Sequence, residues 1–321
     1  MKKFTTESAE STEADGKERV RIQDPETPSF PLSALSVLSV VKTFGRMVKF
    51  SHTVFALPFA LAATALAARG HGITLAQVAA ILIAMAGART AAMGFNRIID
   101  RRLDAKNPRT AGREIPTGKV SVVSAGFLTA ISAAAFVAAA ASLGRLCLAL
   151  SPIVLGLVLG YSFTKRFTWL CHLFLGLAIG IAPAGAWIAV RGELAAPAIW
   201  MVAAVTTWIG SFDILYALSD REFDRSVGIH SIPARFGVPA ALVISAALHF
   251  GTVVALVAVG HSAGLGTIYY LGVAAVVAIL IYEHSIVRPS DLSRVDVAFF
   301  NLNGYVSLVY LLATLAQVLA N

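Results

Sequence analysis

The sequence predicts an all-α, polytopic membrane protein with nine membrane-spanning helices. Hydrophobic residues make up 57% of its 321 residues and charged residues only 14%, whereas soluble domains carry about 25% charged residues. The apolar residues form stretches of about 20, which is the length that a helix needs to cross a hydrocarbon core roughly 30 Å thick. Ala, Leu, Val and Gly dominate these stretches, and small residues favour close packing of helices in lipid.

The sequence contains nine predicted spans, and most of the connections between them are short. They cover about residues 50–68, 75–99, 120–141, 146–163, 169–190, 197–219, 238–259, 265–284 and 296–319. Two connections are long and polar, 100–119 after the second span and 220–237 after the sixth. Both lie on the same side of the predicted membrane, so functional residues are expected there.

The N-terminal part of the chain has a different composition. Residues 1–41 precede the membrane domain, and the first 31 of them are rich in Ser, Thr, Glu, Asp and Lys. They lack the charged, apolar and cleavage regions of a signal peptide, which predicts a disordered tail. The membrane domain is predicted to cover residues 42–321. The two cysteines, Cys147 and Cys171, show no metal-ligand spacing and are predicted to be packing residues.

The basic residues predict the orientation of the chain in the membrane. Sixteen Lys and Arg residues flank the N-terminal side of the first span or lie in even-numbered connections, against three in odd-numbered ones. The positive-inside rule therefore places the N-terminus and the long polar loops in the cytoplasm, in a bacterial-type inner membrane. This distribution accounts for the net charge of +8 without a nucleic-acid partner.

Two Asp-x-x-x-Asp motifs stand at the ends of the second and sixth spans. The first is Asp100 with Asp104, and Asn96 precedes it by one helical turn. The second is Asp220 with Asp224, preceded within the span by two further candidates for catalysis, Asp213 and Tyr216. Residues four apart share one face of a helix, so each motif predicts a stripe of oxygen ligands. Such ligands suit Mg²⁺, which is usually held by a few carboxylates together with substrate phosphates.

Basic residues accompany the acidic motifs, as a bound diphosphate requires. They are Arg97, Arg101, Arg102, Arg113, Lys119, Lys165 and Arg166. A single acidic pair at a helix end often serves only as a membrane anchor, but two pairs with polar residues inside the span favour a functional site. Arg89 lies deeper in the second span, where it could pair with an aspartate or reach into a substrate cavity. Tyr161 ends the fourth span beside Lys165 and fits either membrane anchoring or substrate binding.

These segments resemble the two signatures of the UbiA superfamily of intramembrane aromatic prenyltransferases. The first signature is similar to residues 96–118, from Asn96-Arg-Ile-Ile-Asp100 to Ile-Pro-Thr-Gly118. The second is similar to Asp213-Ile-Leu-Tyr216-Ala-Leu-Ser-Asp220-Arg-Glu-Phe-Asp224, and residues 161–168 resemble the stretch before the family's fifth helix. The resemblance covers the chain from about residue 42 to its end.

The resemblance implies a nine-helix bundle with a central cavity, capped on the cytoplasmic side by the two long loops. Two Mg²⁺ ions on a polyprenyl diphosphate would be bound by Asn96, Asp100, Asp104, Asp220 and Asp224. The substrate itself would contact Arg97, Arg113, Lys119, Tyr161, Lys165 and Arg166. Metal and cationic groups would neutralise the departing diphosphate, and an aromatic ring would attack the allylic cation. Asp213 and Tyr216 would orient the acceptor or stabilise the cation.

The acceptor and the class of reaction remain open at this point. The stretch from His52 to Pro58, His-Thr-x-Phe-Ala-Leu-Pro, resembles a branch that acts on 1,4-dihydroxy-6-naphthoate, while overall similarity favours 4-hydroxybenzoate; both acceptors belong to quinone biosynthesis. Haem farnesylation and chlorophyll-type reactions are alternatives within the superfamily. A secondary transporter would also have about nine spans, but its site would be expected near the midplane. No obligate protein partner is predicted.

Overall fold

The structure, a computed structural model, describes residues 43–45, 47, 53–292, 294–295 and 298–320. All of them fall within one unit, Lys42–Asn321. The predicted disordered tail, residues 1–41, lies outside the described residues, and so does His52. The boundary between tail and membrane domain therefore stays a prediction.

Helices account for the regular structure of the described residues. They are α1 (Thr53–Ala68), α2 (Leu75–Lys106), α3 (Val122–Leu143), α4 (Arg145–Thr164), α5 (Cys171–Arg191), α6 (Ala196–Ala217), α7 (Arg221–Val227), α8 (Ile232–Ser262), α9 (Thr267–Ile286) and α10 (Asn303–Ala320). A 3₁₀ turn, Leu218–Asp220, joins α6 to α7, and a π-helical turn, Ala298–Leu302, precedes α10.

The all-helical, polytopic fold class is confirmed. Among the described residues, eight helical segments are long and apolar enough to cross a membrane: α2, α3, α4, α5, α6 with its continuation to Val227, α8, α9 and α10. The helix α1 is apolar but shorter over its described residues. It corresponds to the first predicted span, which was expected to begin near residue 50, outside the described part.

Three of the helices, α2, α3 and α8, begin after residues whose side chains cap the backbone. Thr74 precedes α2 and accepts a hydrogen bond from the Gln77 N–H at 3.2 Å, while the Gln77 side chain accepts one from the Thr74 N–H at 3.0 Å. This reciprocal pair is a capping box. Ser121 caps α3 through the Ser124 N–H at 3.0 Å, and Ser231 caps α8. Side-chain oxygens thus satisfy backbone donors that the helix leaves unpaired.

Close packing of α5 against α6 builds the centre of the bundle. A Cβ atom at Gly176 would lie 2.2 Å from the Thr206 carbonyl oxygen, and one at Gly180 would lie 2.6 Å from the Thr206 hydroxyl. Without side chains, these two glycines let the helix backbones approach closely, which is a common arrangement in membranes. The helix α6 also packs on α8, α1 packs on α5 and α10, and α2 packs mainly on α3 and α4.

Two helix ends differ from the sequence-based expectation, and both differences bear on the acidic motifs. The helix α2 continues to Lys106, about two turns beyond the predicted end at residue 99, so the first motif is helical throughout. The second motif was expected to continue the helix of Asp213 and Tyr216. Instead α6 ends at Ala217, and the 3₁₀ turn changes the direction of the chain before α7.

The helix α8 begins at Ile232, earlier than predicted, and bends at Gly237, where φ is +81°.

Candidate active site

The two acidic motifs open into one cavity of about 320 Å³, here called the polar cavity. Helices α1, α2, α4, α5, α6 and α7 contribute to its wall. Eleven of the thirteen predicted site residues line it: Asn96, Arg97, Asp100, Asp104, Arg113, Tyr161, Lys165, Asp213, Tyr216, Asp220 and Asp224. Residues more than 100 positions apart in sequence therefore line one cavity.

Asp100 is the most heavily hydrogen-bonded carboxylate of the first motif. Asn96 donates to its Oδ2 at 3.0 Å, Lys165 donates to the same oxygen, and Arg166 donates to Oδ1 at 2.9 Å. The Asp100 side chain is only 2% exposed, so its charge depends on these partners. Lys165 and Arg166 follow α4, and their contacts hold that helix end against α2.

Asp104 lies one turn further along α2 and is only half satisfied. Arg113 donates to its Oδ1 at 2.7 Å. Its Oδ2 is buried and has no hydrogen-bond partner among the described residues. A buried carboxylate oxygen without a partner is costly, so this atom is a candidate position for a cation.

Asp220 of the second motif is held by the loop that follows the first motif. Asn107 donates to Asp220 Oδ1 at 3.0 Å, and Arg109 forms an ion pair with both carboxylate oxygens. Arg109 also donates to the Tyr216 hydroxyl at 2.5 Å and lies over the Tyr216 ring. This loop therefore connects the two motifs directly.

Asp224 is buried and accepts a hydrogen bond from Ser231 at 2.8 Å. Ser231 is also the residue that caps α8. One hydroxyl thus fixes both the start of α8 and the orientation of the last aspartate. Among the described residues no ion pair joins Asp224 to a basic side chain.

Asp213 lies deeper in the polar cavity, on α6. Its Oδ2 is 2.7 Å from Nδ1 of His172, a buried residue in the first turn of α5. The other ring nitrogen, Nε2, accepts the backbone N–H of Ile232 at 3.2 Å. Because Nε2 is an acceptor in this arrangement, Nδ1 carries the proton and donates a hydrogen bond to Asp213.

The remaining predicted residues differ in their closeness to the cavity. Lys119 is exposed and does not line it. Arg166 does not line it either, but it reaches the site through Asp100. Arg97 lines it, and its Nε donates to the Met47 carbonyl at 3.2 Å. Cys171 lines the polar cavity, so its surroundings are not only the packed neighbours expected from the sequence.

Several residues of the site were missed by the sequence reasoning. Arg109 was counted only as a loop charge, and Asn107 and His172 were not considered. Arg109 lies five residues after Asp104 in a polar loop, which was an available signal. His172 had none, because its partners Asp213 and Ile232 are 41 and 60 residues away.

The donor atoms of the site fit magnesium together with a phosphate-bearing ligand. Asn96 and the four motif aspartates supply oxygen atoms, and Asp104 Oδ2 is buried without a partner. Among the described residues, no three His, Cys, Asp or Glu side chains converge closely enough to hold an ion by themselves. That is the expected arrangement where substrate oxygens complete the coordination.

A second, apolar cavity of about 390 Å³ adjoins the first. The two cavities share six of their lining residues: Ala56, Arg89, Met93, Tyr161, Leu175 and Ile179. Beyond them the apolar cavity runs along α4 from Tyr161 to Cys147, which corresponds to roughly 20 Å of helix. Arg89, for which two roles were open, lines both cavities at this junction.

Comparisons with known proteins agree with this architecture. The model of the UbiA prenyltransferase family matches residues 56–305. The 4-hydroxybenzoate octaprenyltransferase of Vibrio parahaemolyticus is 33% identical over 230 residues, covering 69% of this chain and 77% of its own. The protein of that name from Nitrosospira multiformis is 32% identical over 67% of this chain and 74% of its own.

Solved structures show the same fold. The apo structure of a UbiA homologue from Aeropyrum pernix K1 superposes with a TM-score of 0.75 at 35% identity, covering 83% of this chain and 97% of its own. A UbiA homologue from Archaeoglobus fulgidus, solved with DMAPP and Mg²⁺, has a TM-score of 0.69 at 20% identity, with 87% of this chain and all of its own covered. The chain therefore belongs to the UbiA prenyltransferase family and is a multi-pass membrane prenyltransferase.

Proposed function

We propose that this enzyme transfers a polyprenyl group from a polyprenyl diphosphate to an aromatic acid in quinone biosynthesis. The observation that carries the proposal is the meeting of both acidic motifs, with their basic partners, in one polar cavity that adjoins an apolar one. The first cavity matches a charged diphosphate, and the second matches an isoprenoid tail. The inner membrane and the cytoplasmic placement of the polar cavity remain predictions from the basic residues.

Diphosphate binding is expected beside the motif aspartates of the polar cavity. Lys165, Arg113 and Arg109 each pair with a motif aspartate. We expect these cations to turn toward the diphosphate oxygens when the carboxylates bind metal, because charge-assisted pairs with phosphate are strong and well directed. Arg166 would support Asp100 from outside the cavity. Lys119 was predicted to contact the diphosphate, and it would have to move to do so.

Magnesium is the expected cofactor, held by Asn96 and the four motif aspartates together with diphosphate oxygens. When bound, it would stabilise the negative charge that develops on the leaving diphosphate. The protein's own contribution is to fix these ligands: Asn96 donates to Asp100 and thereby orients it, while Ser231 orients Asp224. The Archaeoglobus fulgidus homologue was solved with DMAPP and Mg²⁺, which supports this assignment.

The apolar cavity is the proposed site of the isoprenoid tail. Small residues of α2 and α5, among them Ala88 and Ala182, leave room along its wall. Ile153 and Leu194 line it and are 68% and 51% exposed, which favours an opening toward lipid. A tail that extends into the bilayer would keep its apolar surface away from water throughout the reaction.

The aromatic acceptor is expected between the diphosphate and the tail. Phe55 and Phe212 line this part of the polar cavity, and such rings stack well on an aromatic substrate. Arg89, at the junction of the cavities, would pair with the acceptor's carboxylate. The names of the curated relatives favour 4-hydroxybenzoate, while the sequence from His52 to Pro58 favours 1,4-dihydroxy-6-naphthoate.

A direct assay tests the proposal and separates the acceptors. Purified protein in lipid vesicles would be supplied with Mg²⁺, a long-chain prenyl diphosphate and one of the two aromatic acids. Formation of one prenylated acid and not the other would identify the acceptor. If neither acid is prenylated while haem or a chlorophyll precursor is, the aromatic-acid proposal is wrong. The transporter alternative has lost its support, because the chain is a prenyltransferase.

A further inference from the structure

We infer that Asp213 accepts the ring proton of the aromatic acceptor and that His172 is the positioning residue that aims it. The inference rests on the proposed function and adds a residue, His172, that lies outside both acidic motifs. Prenylation of an aromatic ring needs such a base. The bond between the allylic carbon and the diphosphate oxygen breaks, and the ring carbon forms a bond to the allylic carbon. The ring is then a cation whose newly substituted carbon still carries its hydrogen.

The depth of Asp213 suits this step. It precedes Asp220 by seven residues, which span the last turn of α6 and the 3₁₀ turn, and both residues line the polar cavity. A substrate with its diphosphate at Asp220 and its tail in the apolar cavity has its reacting carbon between those points. Phe212 and Phe55 line the same region, so an aromatic ring stacked there would lie beside the Asp213 carboxylate.

Asp213 lines the polar cavity, and hydrogen bonding within the protein uses only one of its two carboxylate oxygens. Oδ2 receives the Nδ1 proton of His172 at 2.7 Å, and no described residue hydrogen-bonds to Oδ1. The Asp213 side chain is 25% exposed, while that of His172 is 3% exposed. The histidine is thus enclosed by protein, and the aspartate keeps part of its side chain accessible from the polar cavity that it lines.

His172 is fixed by a second contact that makes it a rigid support. Its Nε2 accepts the backbone N–H of Ile232, the residue after Ser231. In this tautomer the imidazole donates to Asp213 through Nδ1 while its Nε2 is an acceptor. Among the described residues no lysine or arginine forms an ion pair with Asp213. Three of the four motif aspartates differ from Asp213 in this respect, because Asp100, Asp104 and Asp220 are paired with lysine or arginine. A carboxylate supported by a neutral donor is better suited to accept a proton than one paired with a cation.

The proposed step is balanced. Asp213 Oδ1 removes the hydrogen from the newly substituted ring carbon as a proton, and the electrons of that C–H bond restore the aromatic ring. The diphosphate departs with the electron pair of the broken C–O bond. The resulting carboxylic acid returns its proton to water in the polar cavity, and no oxidant or reductant is consumed.

The experiment compares Asp213→Asn with wild type, using acceptor that carries either hydrogen or deuterium at the reacting carbon. Asn retains an oxygen to accept the His172 proton but is a poor base. We expect the rate of formation of the prenylated acid to fall about a hundredfold or more. The ratio of prenylated acid to prenyl alcohol should fall as well. The deuterium isotope effect on the rate should rise above the wild-type value. An unchanged isotope effect in Asp213→Asn would overturn the inference.

Two His172 variants test the positioning role. In Gln the amide can donate to Asp213 and accept from Ile232, so His172→Gln should recover most of the product and a wild-type isotope effect. Leu can do neither, so His172→Leu should behave like Asp213→Asn. If both variants keep the wild-type isotope effect, His172 does not position the base. A wild-type enzyme that prenylates no aromatic acid would instead overturn the proposed function itself.

Discussion

At the scale of single residues, the site consists of carboxylates that are held largely by residues of the segments between the helices. Asp100 is held by residues that follow α4, and Asp220 is held by the loop that follows α2. Each carboxylate is therefore oriented before a metal arrives. Buried charges of this kind are tolerated because each is paired or hydrogen-bonded.

The motif aspartates are expected to be essential for turnover. Asp100→Asn and Asp220→Asn should each reduce prenyl transfer at least about a hundredfold, because each removes a proposed ligand of the Mg²⁺ that would stabilise the leaving diphosphate. The measurement is product formation at saturating Mg²⁺. Glu222→Gln is the matched control: Glu222 lies within the second motif but its side chain is 83% exposed. Full activity in both aspartate variants, or a comparable loss in Glu222→Gln, would contradict the metal site.

Arg109 is expected to contribute mainly to binding of the diphosphate. Arg109→Ala removes the cation that joins Asp220 to Tyr216. Hydrogen bonds to charged groups contribute about 1.5–3 kcal/mol, so KM for the prenyl diphosphate should rise about tenfold to a hundredfold. Steady-state kinetics with each substrate varied in turn would measure it. Arg102 is an exposed arginine of α2, and Arg102→Ala should leave KM unchanged. If both variants raise KM equally, the effect comes from the loss of one positive charge and not from the specific contacts of Arg109.

At the scale of elements, the close pairing of α5 with α6 positions much of the polar cavity. His172 belongs to α5, and Asp213 and Tyr216 belong to α6. The glycines that permit this approach, Gly176 and Gly180, lie one and two turns beyond His172. Changes at this interface should therefore affect both the stability of the bundle and the geometry of the site.

Gly176→Ala tests this coupling. The added Cβ would lie 2.2 Å from the Thr206 carbonyl oxygen, so the helices must separate. Overpacking of this kind costs about 1–3 kcal/mol, and the thermal unfolding temperature in detergent should fall together with activity. Gly156→Ala in α4 is the control, because nothing lies within 4 Å of its added Cβ. An unchanged unfolding temperature in Gly176→Ala would show that this contact relaxes without cost.

Local features of the sequence were predictable, and contacts between distant segments were not. The spans and the stripe of Asn96, Asp100 and Asp104 follow from apolar runs and from the i, i+4 spacing of a helix. The 3₁₀ turn before α7 was missed because residues 213–224 keep a helical spacing through it. The contact of Arg109 with Asp220, 111 residues apart, depends on how the helices pack, which no local pattern contains.

At the scale of the whole molecule, the two cavities can be followed separately with the chain's own cysteines. The sequence contains two: Cys171 lines the polar cavity, and Cys147 lines the apolar one. We expect a long-chain prenyl diphosphate with Mg²⁺ to slow thiol labelling at both positions. Inorganic diphosphate with Mg²⁺ should slow labelling only at Cys171.

The labelling experiment would use Cys147→Ser and Cys171→Ser, so that each protein reports on one thiol. Mass spectrometry of the labelled protein gives the rate at each position. If inorganic diphosphate alone slows labelling of Cys147, binding of the charged group in the polar cavity also changes access to the apolar one, and the two cavities are not independent. Labelling of Cys147 that the long-chain substrate does not change would place the tail elsewhere.

The six residues that line both cavities have a consequence for how the enzyme meets its substrates. If the tail occupies the apolar cavity while the diphosphate occupies the polar one, the lipid substrate is recruited from within the bilayer, and its prenylated product returns there. The relevant concentration is then the mole fraction of polyprenyl diphosphate among the lipids. Adding inert lipid at constant total substrate should slow the reaction, although the bulk concentration of every reactant stays the same.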